Sequence, residues 1–223
     1  NFSYLKAVIN FALSEYALDV RNPFVGVYHD RSAGVLVRKP IPMEAIRNVQ
    51  SECLAVDDDI RWLIALISDT GMRLAEGAGL LKQDLVGLDT DQPYVRVTKY
   101  PWRNLKTASS ERKIPLVGEA LWAARRTVEA DNTSDFAFPR YNRTSTTAAN
   151  SASAALNKWL KQHVPAGCTM HSFRHSMRDR LRAVQCPADI TDQIGGWTTD
   201  GVGQGYGSGY PMSVLKEWLE KAK

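Results

Sequence analysis

Residues 171–182 read HSFRHSMRDRLR and set His171, Arg174 and His175 within a turn of one another at or near a helix start. Side chains three and four positions apart share a helix face, so this stretch can present an imidazole beside a guanidinium. His171 and His175 have the spacing of a zinc pair, but residue 172 is Ser rather than Glu and no third ligand is near, so a metal site is not expected. A second arginine stands apart from this cluster. In TGMRLAEGAGL, Arg73 follows an apolar helix and a glycine, where a guanidinium can be held rigidly, and Glu76 comes three residues later. Each arginine alone also fits a solvated basic face or a surface ion pair. Together, two planar forks can clamp one phosphate from two sides.

The stretch GGWTTDGVGQGYGSGY, residues 195–210, holds seven of the fifteen glycines and two tyrosines. A dinucleotide loop needs its glycines directly after a strand and opening a helix, whereas this one follows a helical pattern; the Walker pattern is absent too. No nucleotide cofactor is therefore expected. Glycine is favoured where backbone must take unusual angles or move, so the segment reads as a hinged presenter of a side chain. Tyr206 has Gly205 and Gly207 beside it. Tyr210 precedes Pro211, which confines it to extended angles and suits packing.

The elements that must carry these residues are mostly helical. The opening NFSYLKAVINFALSEYAL has Leu5, Val8, Ile9, Ala12 and Tyr16 at helical spacing, and the irregular DVRNPFVGVYHDRSAG follows. After a Pro-bounded connector, RKPIPMEAI, the run DDDIRWLIALISDTG carries acidic residues at its start, Ile60, Leu63, Ile64 and Ile67 on one face, and Gly71 at its end: a buried helix. A short helix over 72–81 comes next. PYVRVTKY and ERKIPL then read as two strands flanking a polar connection that contains Lys106. Further helices are expected over 118–130, 147–163, 172–184 and 187–194, and in the terminal PMSVLKEWLEKA. The fold class expected is mainly α with a small antiparallel β-sheet (α+β).

At 223 residues, 44% hydrophobic and 23% charged, the chain can bury a core and is not of disordered composition. A net charge of +4 favours a polyanionic partner, although such charge also simply solvates a surface. Cys53, Cys168 and Cys186 are too few and too scattered for a disulfide framework or a zinc site, which points to a reducing, cytoplasmic setting. Nothing reads as a signal peptide or a membrane span. With no initiator Met, residues 1–20 are read as the end of a preceding domain or a linker, and residues 21–223 as the main domain.

Taken in order, Arg73 and Glu76 in RLAEGAGL, Lys106 in LKTASSERKIPL, His171 and Arg174 in HSFRH, and Tyr206 nine residues after Trp197 resemble the catalytic domain of the tyrosine recombinase (phage integrase) family. The resemblance covers nearly the whole chain, with the first helix similar to the end of that family's core-binding domain. It implies double-stranded DNA as substrate, a homotetramer assembled on it, no cofactor, and a reaction of two transesterifications through a 3′-phosphotyrosine. Tyr206 would be the nucleophile, Arg73 and Arg174 the clamp on the non-bridging oxygens, Lys106 the general acid, and His171 a donor or proton carrier. Many members carry histidine where this chain has Trp197; indole donates one hydrogen bond but shuttles no proton, leaving a donor or a packing role. Glu76 and His175 would support the arginines. Lys99, Arg103, Arg140 and Arg143 fall in connections where basic side chains can track DNA phosphates. A type IB topoisomerase or a DNA-binding module without catalysis are the alternatives, the hairpin sequence resembling integrases better.

Overall fold

The computed structural model describes residues 2–28, 39–130, 133–143, 145–197 and 209–223. The chain divides into two compact units, Asn1–Val37 and Arg38–Lys223. In the first, α1 (Phe2–Glu15) is followed by a loop that folds back on it. Asn22 Nδ2 donates to Lys6 O (3.1 Å) and Asn10 Oδ1 (2.6 Å), and Phe24 meets Phe2 edge to face. Through these contacts Asn22 and Phe24 pack with α1. No residue of α1 is buried.

The second unit is built round α3 (Asp59–Thr70), in which every residue from Leu63 to Thr70 is buried. A helix buried on all sides must be wrapped by others, and α2 (Met43–Val56), α4 (Leu74–Ala78), α5 (Gly118–Glu129) and α7 (Ser172–Ala183) pack against it. The connector expected over 38–46 gives way at Met43 to α2. Its Ile46, Val49, Gln50 and Cys53 are spaced to bury one face. Asp58 caps α3 by accepting from Arg61 N–H, and Gly71 ends it in the left-handed region at φ 60°. No side chain fits at Gly71, because a Cβ would stand 2.8 Å from Cβ of Met177 on α7.

A three-stranded antiparallel sheet follows in the order β1 (Leu85–Val86), β2 (Tyr94–Val97), β3 (Arg112–Pro115), with Val95 opposite Ile114 and Arg96 opposite Lys113. The expected strands 93–100 and 111–116 are shortened, since the chain turns away after Val97 into the connection carrying Lys106. The helix expected from 72 to 81 is confined to Leu74–Ala78 and succeeded by a 3-10 turn at Lys82–Asp84. A small hairpin of β4 (Asn142–Arg143) and β5 (Thr146–Thr147) delays the next helix, α6, to Ala149–Leu160. The last two helices are α8 (Ala188–Gly195) and α9 (Met212–Lys221), both opened by a proline in the position before the first turn.

Arg180 ties three of these helices. Its Nη2 donates to Asp69 Oδ1 (2.9 Å) and Nη1 to Ser68 O (3.0 Å) on α3, while Nε donates to Ala222 O (2.6 Å) after α9. Breaking a buried pair on one side leaves the other charge unpaired, which is more costly than losing the pair whole. Asp69→Ala is therefore expected to destabilise the chain by about 3 kcal/mol in denaturant unfolding, and Asp69→Asn, which keeps an acceptor, by clearly less.

Candidate active site

The site is organised by one carboxylate. Glu76, in the first turn of α4, is 3% exposed, and both its oxygens are engaged. Oε1 accepts from Arg73 Nη1 (2.6 Å); Oε2 accepts from the Arg73 backbone N–H (2.9 Å) and from Arg112 Nη2 (3.0 Å). Burial by itself would raise the Glu76 pKa, but the charge and hydrogen bonds of Arg112, with those of Arg73, outweigh it and hold the carboxyl below the usual range. Glu76 is thus ionised and acts as the counter-charge that fixes two guanidinia from opposite directions.

Arg73 precedes α4 in extended backbone, and its Nη1 also donates to Ser110 Oγ (3.0 Å). Ser110 Oγ lies 2.9 Å from Thr107 Oγ1, so the segment that bears Lys106 is tied through hydroxyls to the arginine. Lys106 itself is exposed. Arg112 reaches the far side: Nε donates to Ile194 O (2.9 Å) and Nη1 to Ser110 O (2.6 Å).

Arg174 is 4% exposed, and two main-chain carbonyls hold its guanidinium: Nη1 donates to Gly71 O (3.1 Å) and Nη2 to Gly195 O (2.6 Å). These carbonyls close α3 and α8. Helix C-termini leave carbonyls without intrahelical donors and carry partial negative charge, so a guanidinium satisfies both needs. Arg112 uses the same device at Ile194. Even so, burial and then the charges of Arg73 and Arg112 push Arg174 down to about 9, with Glu76 only partly opposing them. It remains charged at neutral pH. Three guanidinia around one carboxylate leave an excess of positive charge in a poorly hydrated place, which an oxyanion would relieve.

His171 immediately precedes α7, and its carbonyl accepts from Arg174 N–H (3.1 Å), placing it one turn before the arginine. It is half-buried and packs edge to face on exposed His175, with ring centroids 5.2 Å apart. Among the described residues no group of three metal-ligating side chains comes together. Trp197 lies beside Arg174, whose Cζ is 4.4 Å from the ring centroid, which brings the indole into the arginine cluster. Tyr206 lies outside the described residues. Tyr210 is tied to α8: its hydroxyl donates to Asp189, its N–H donates to Gln193 Oε1 (2.8 Å), and its carbonyl accepts from Gln193 Nε2 (3.1 Å). The bond to Asp189 raises the Tyr210 pKa, which makes its phenol a poorer nucleophile.

Of the four residues expected to meet DNA phosphates, Lys99 and Arg143 are exposed. Arg103 is not available for that: its side chain is 1% exposed, and it donates to Glu76 O (2.7 Å) and Thr98 O (2.6 Å). It is an internal strut bracing α4 from behind. The Arg140 fork is already closed on the Asp59 carboxylate, Nε and Nη2 donating at 2.7 and 3.0 Å. Sequence reading missed Arg112 and Ser110. The signal for Arg112 was the period of two in β3, which puts residue 112 on the same inward face as Ile114, with Lys113 outward.

The phage integrase family model matches residues 43–208 of the chain. Among solved structures, the Tn1549 transposon integrase in complex with circular intermediate DNA shares 20% identity at TM-score 0.58, over 92% of this chain and 76% of that one. XerA recombinase shares 15% at TM-score 0.52, over 96% and 68%. A lambda integrase tetramer bound to a Holliday junction shares 16% at TM-score 0.55, over 90% and 56%. Among curated proteins the sequence finds no match. Among the described residues no helix is long and apolar enough to cross a membrane. The family match takes in well over half of the chain, from α2 through α8 and beyond, and the fold agrees with it: this protein belongs to the phage integrase family, the tyrosine-type site-specific DNA recombinases.

Proposed function

We propose that this chain cleaves and rejoins duplex DNA through a covalent 3′-phosphotyrosine on Tyr206, working as a tetramer on its DNA. The observation that carries the reading is the excess positive charge of Arg73, Arg112 and Arg174 around Glu76, built from two helix ends and a strand. Phosphoryl transfer needs little covalent chemistry from a protein beyond an in-line nucleophile; what it needs is fixed charge on the non-bridging oxygens. Arg73 and Arg174 supply that charge. The Tyr206 oxygen bonds to phosphorus as the bond to the 5′ oxygen breaks. The tyrosine proton leaves by way of His171, and Lys106 gives a proton to the departing 5′ oxygen. A 5′-hydroxyl of a second strand then runs the same steps backwards, so the phosphodiester count is unchanged and no nucleotide is consumed. Structures of a transposon integrase on DNA and of a tetramer on a Holliday junction, both with this fold, support the DNA substrate and the assembly.

The direct test is a nicked suicide duplex that traps the covalent adduct. Wild-type chain should form it, in the presence of EDTA as well; Tyr206→Phe should form none while still binding DNA, and Tyr210→Phe should form it largely as before. The nucleotide found by mass spectrometry on the Tyr210 peptide would overturn the assignment.

Replacing Arg73 or Arg174 with Ala should lower the single-turnover cleavage rate by about 10² to 10³ while DNA affinity falls far less, the pattern of a group that acts on the transition state. Equal losses in rate and affinity would demote the residue to a plain phosphate contact.

Lys106→Ala should be rescued by a 5′-bridging phosphorothiolate at the scissile bond, because a thiolate departs without a proton. If the variant is as slow on that substrate as on ordinary DNA, Lys106 is not the general acid.

A further inference from the structure

Arg178 stands next to the site without joining the network around Glu76. It lies one turn after Arg174 on the same face of α7, and its Cζ is 5.0 Å from the centroid of the Trp197 ring, to which Arg174 Cζ also comes within 4.4 Å. One indole therefore meets two cations from consecutive turns of a helix. The ring lies against Gly195, where a Cβ would collide with its six-membered edge, so no residue but glycine leaves the indole in place. The Trp197 backbone N–H donates to Asp192 O (3.0 Å), and the Asp192 carboxylate is 3.6 Å from Arg178 Nη2. Arg178 Nε is buried and without an acceptor among the described residues, so what fixes this side chain is the carboxylate on one side and the ring on the other.

We infer that Arg178 is a positioning residue, holding the Trp197 indole flat on Gly195 and over Arg174 so that the phosphate-binding guanidinium stays aimed and screened from water. The inference rests on the strand-cleavage reading above. Two guanidinia one turn apart repel each other; an aromatic face attracts both, and Asp192 offsets the charge of the outer one. The indole is then secured at three points, its own backbone and two cations. Without Arg178 it keeps its backbone anchor and the one cation it is meant to cover, so the ring can tilt, and water reaches Arg174 and weakens the field that guanidinium exerts on a reacting phosphate.

The test uses the whole chain as Arg178→Gln, Arg178→Lys, Trp197→Ala and the Arg178→Gln/Trp197→Ala double variant, each first checked for folding by its thermal transition. Single-turnover adduct formation, DNA affinity and fluorine NMR of fluorotryptophan-labelled protein are measured together. The Trp197 signal among the six tryptophans is identified by its loss in Trp197→Phe. Arg178→Gln should slow adduct formation about tenfold with DNA affinity unchanged, and should shift the Trp197 resonance. Arg178→Lys, which keeps a cation over the ring, should restore most of the rate and the wild-type resonance. In the Trp197→Ala background Arg178→Gln should add nothing. A weaker DNA affinity with an unmoved Trp197 resonance would make Arg178 a DNA phosphate contact and overturn the inference, as would independent, multiplicative rate losses in the double variant. Lack of any wild-type adduct would refute the cleavage reading and the catalytic consequence with it; the resonance would still decide whether Arg178 holds the indole.

Discussion

The arrangement of the whole site depends on one buried carboxylate being shared by two guanidinia. Glu76 is nearly inaccessible, so its charge is tolerable only with Arg73 and Arg112 in place, and theirs only with Glu76 in place. That mutual need fixes the distance between α4 and β3. Those two elements in turn define where α8 ends, because Arg112 also closes on Ile194 O. Arg174 enters this frame with no carboxylate of its own among the described residues. It is held by the carbonyls of Gly71 and Gly195 instead, which orient a guanidinium without neutralising it. A guanidinium sharing a carboxylate has part of its charge answered, while one held by carbonyl dipoles keeps more of it on offer.

Much of this could be read from the sequence, and the reasons are specific. Helix α3 has a long apolar run with an acidic start and a terminal glycine; its pattern, its cap at Asp58 and its end at Gly71 all agree, and the structure has it at Asp59–Thr70. Arg73, Glu76, His171 and Arg174 are close together in sequence pairs, so helix periodicity already shows which can share a face. What brings the two pairs together is Arg174 reaching Gly71 O, 103 residues away, and no local spacing encodes that. Helix α2 was hidden behind prolines at 40 and 42 that look like a connector but serve as an entry to the first turn. Charge misled in one place. Arg103 reads as a loop cation because arginine is seldom buried, yet here its two ends satisfy backbone carbonyls of α4 and β2's exit, a need visible only once those segments are folded.

Arg112 and Arg103 together show how the small sheet region serves the helices. One guanidinium binds the Glu76 side chain and the other the Glu76 carbonyl, so α4, only five residues long, is braced from both sides by residues from the segment between 98 and 115. A helix this short has little stability of its own. It is held in position by ion pairs and hydrogen bonds from outside, and the arginine that precedes it inherits that rigidity.

The close approach of Gly71 to Met177 has an evolutionary side. Position 71 sits at a left-handed backbone angle, its carbonyl anchors Arg174, and the space a side chain would need is filled by Met177 Cβ and Cγ. Met177 is three residues after Arg174 on the same helix, so displacing it to make room also displaces the arginine. A change at 71 thus has no single compensating partner: shortening residue 177 to alanine would still leave its Cβ in the way, and resetting the backbone would turn the carbonyl away. Replacing Gly71 alone therefore strikes the backbone angle, the packing on α7 and the anchor of Arg174 at once, so this corner can change only as a unit.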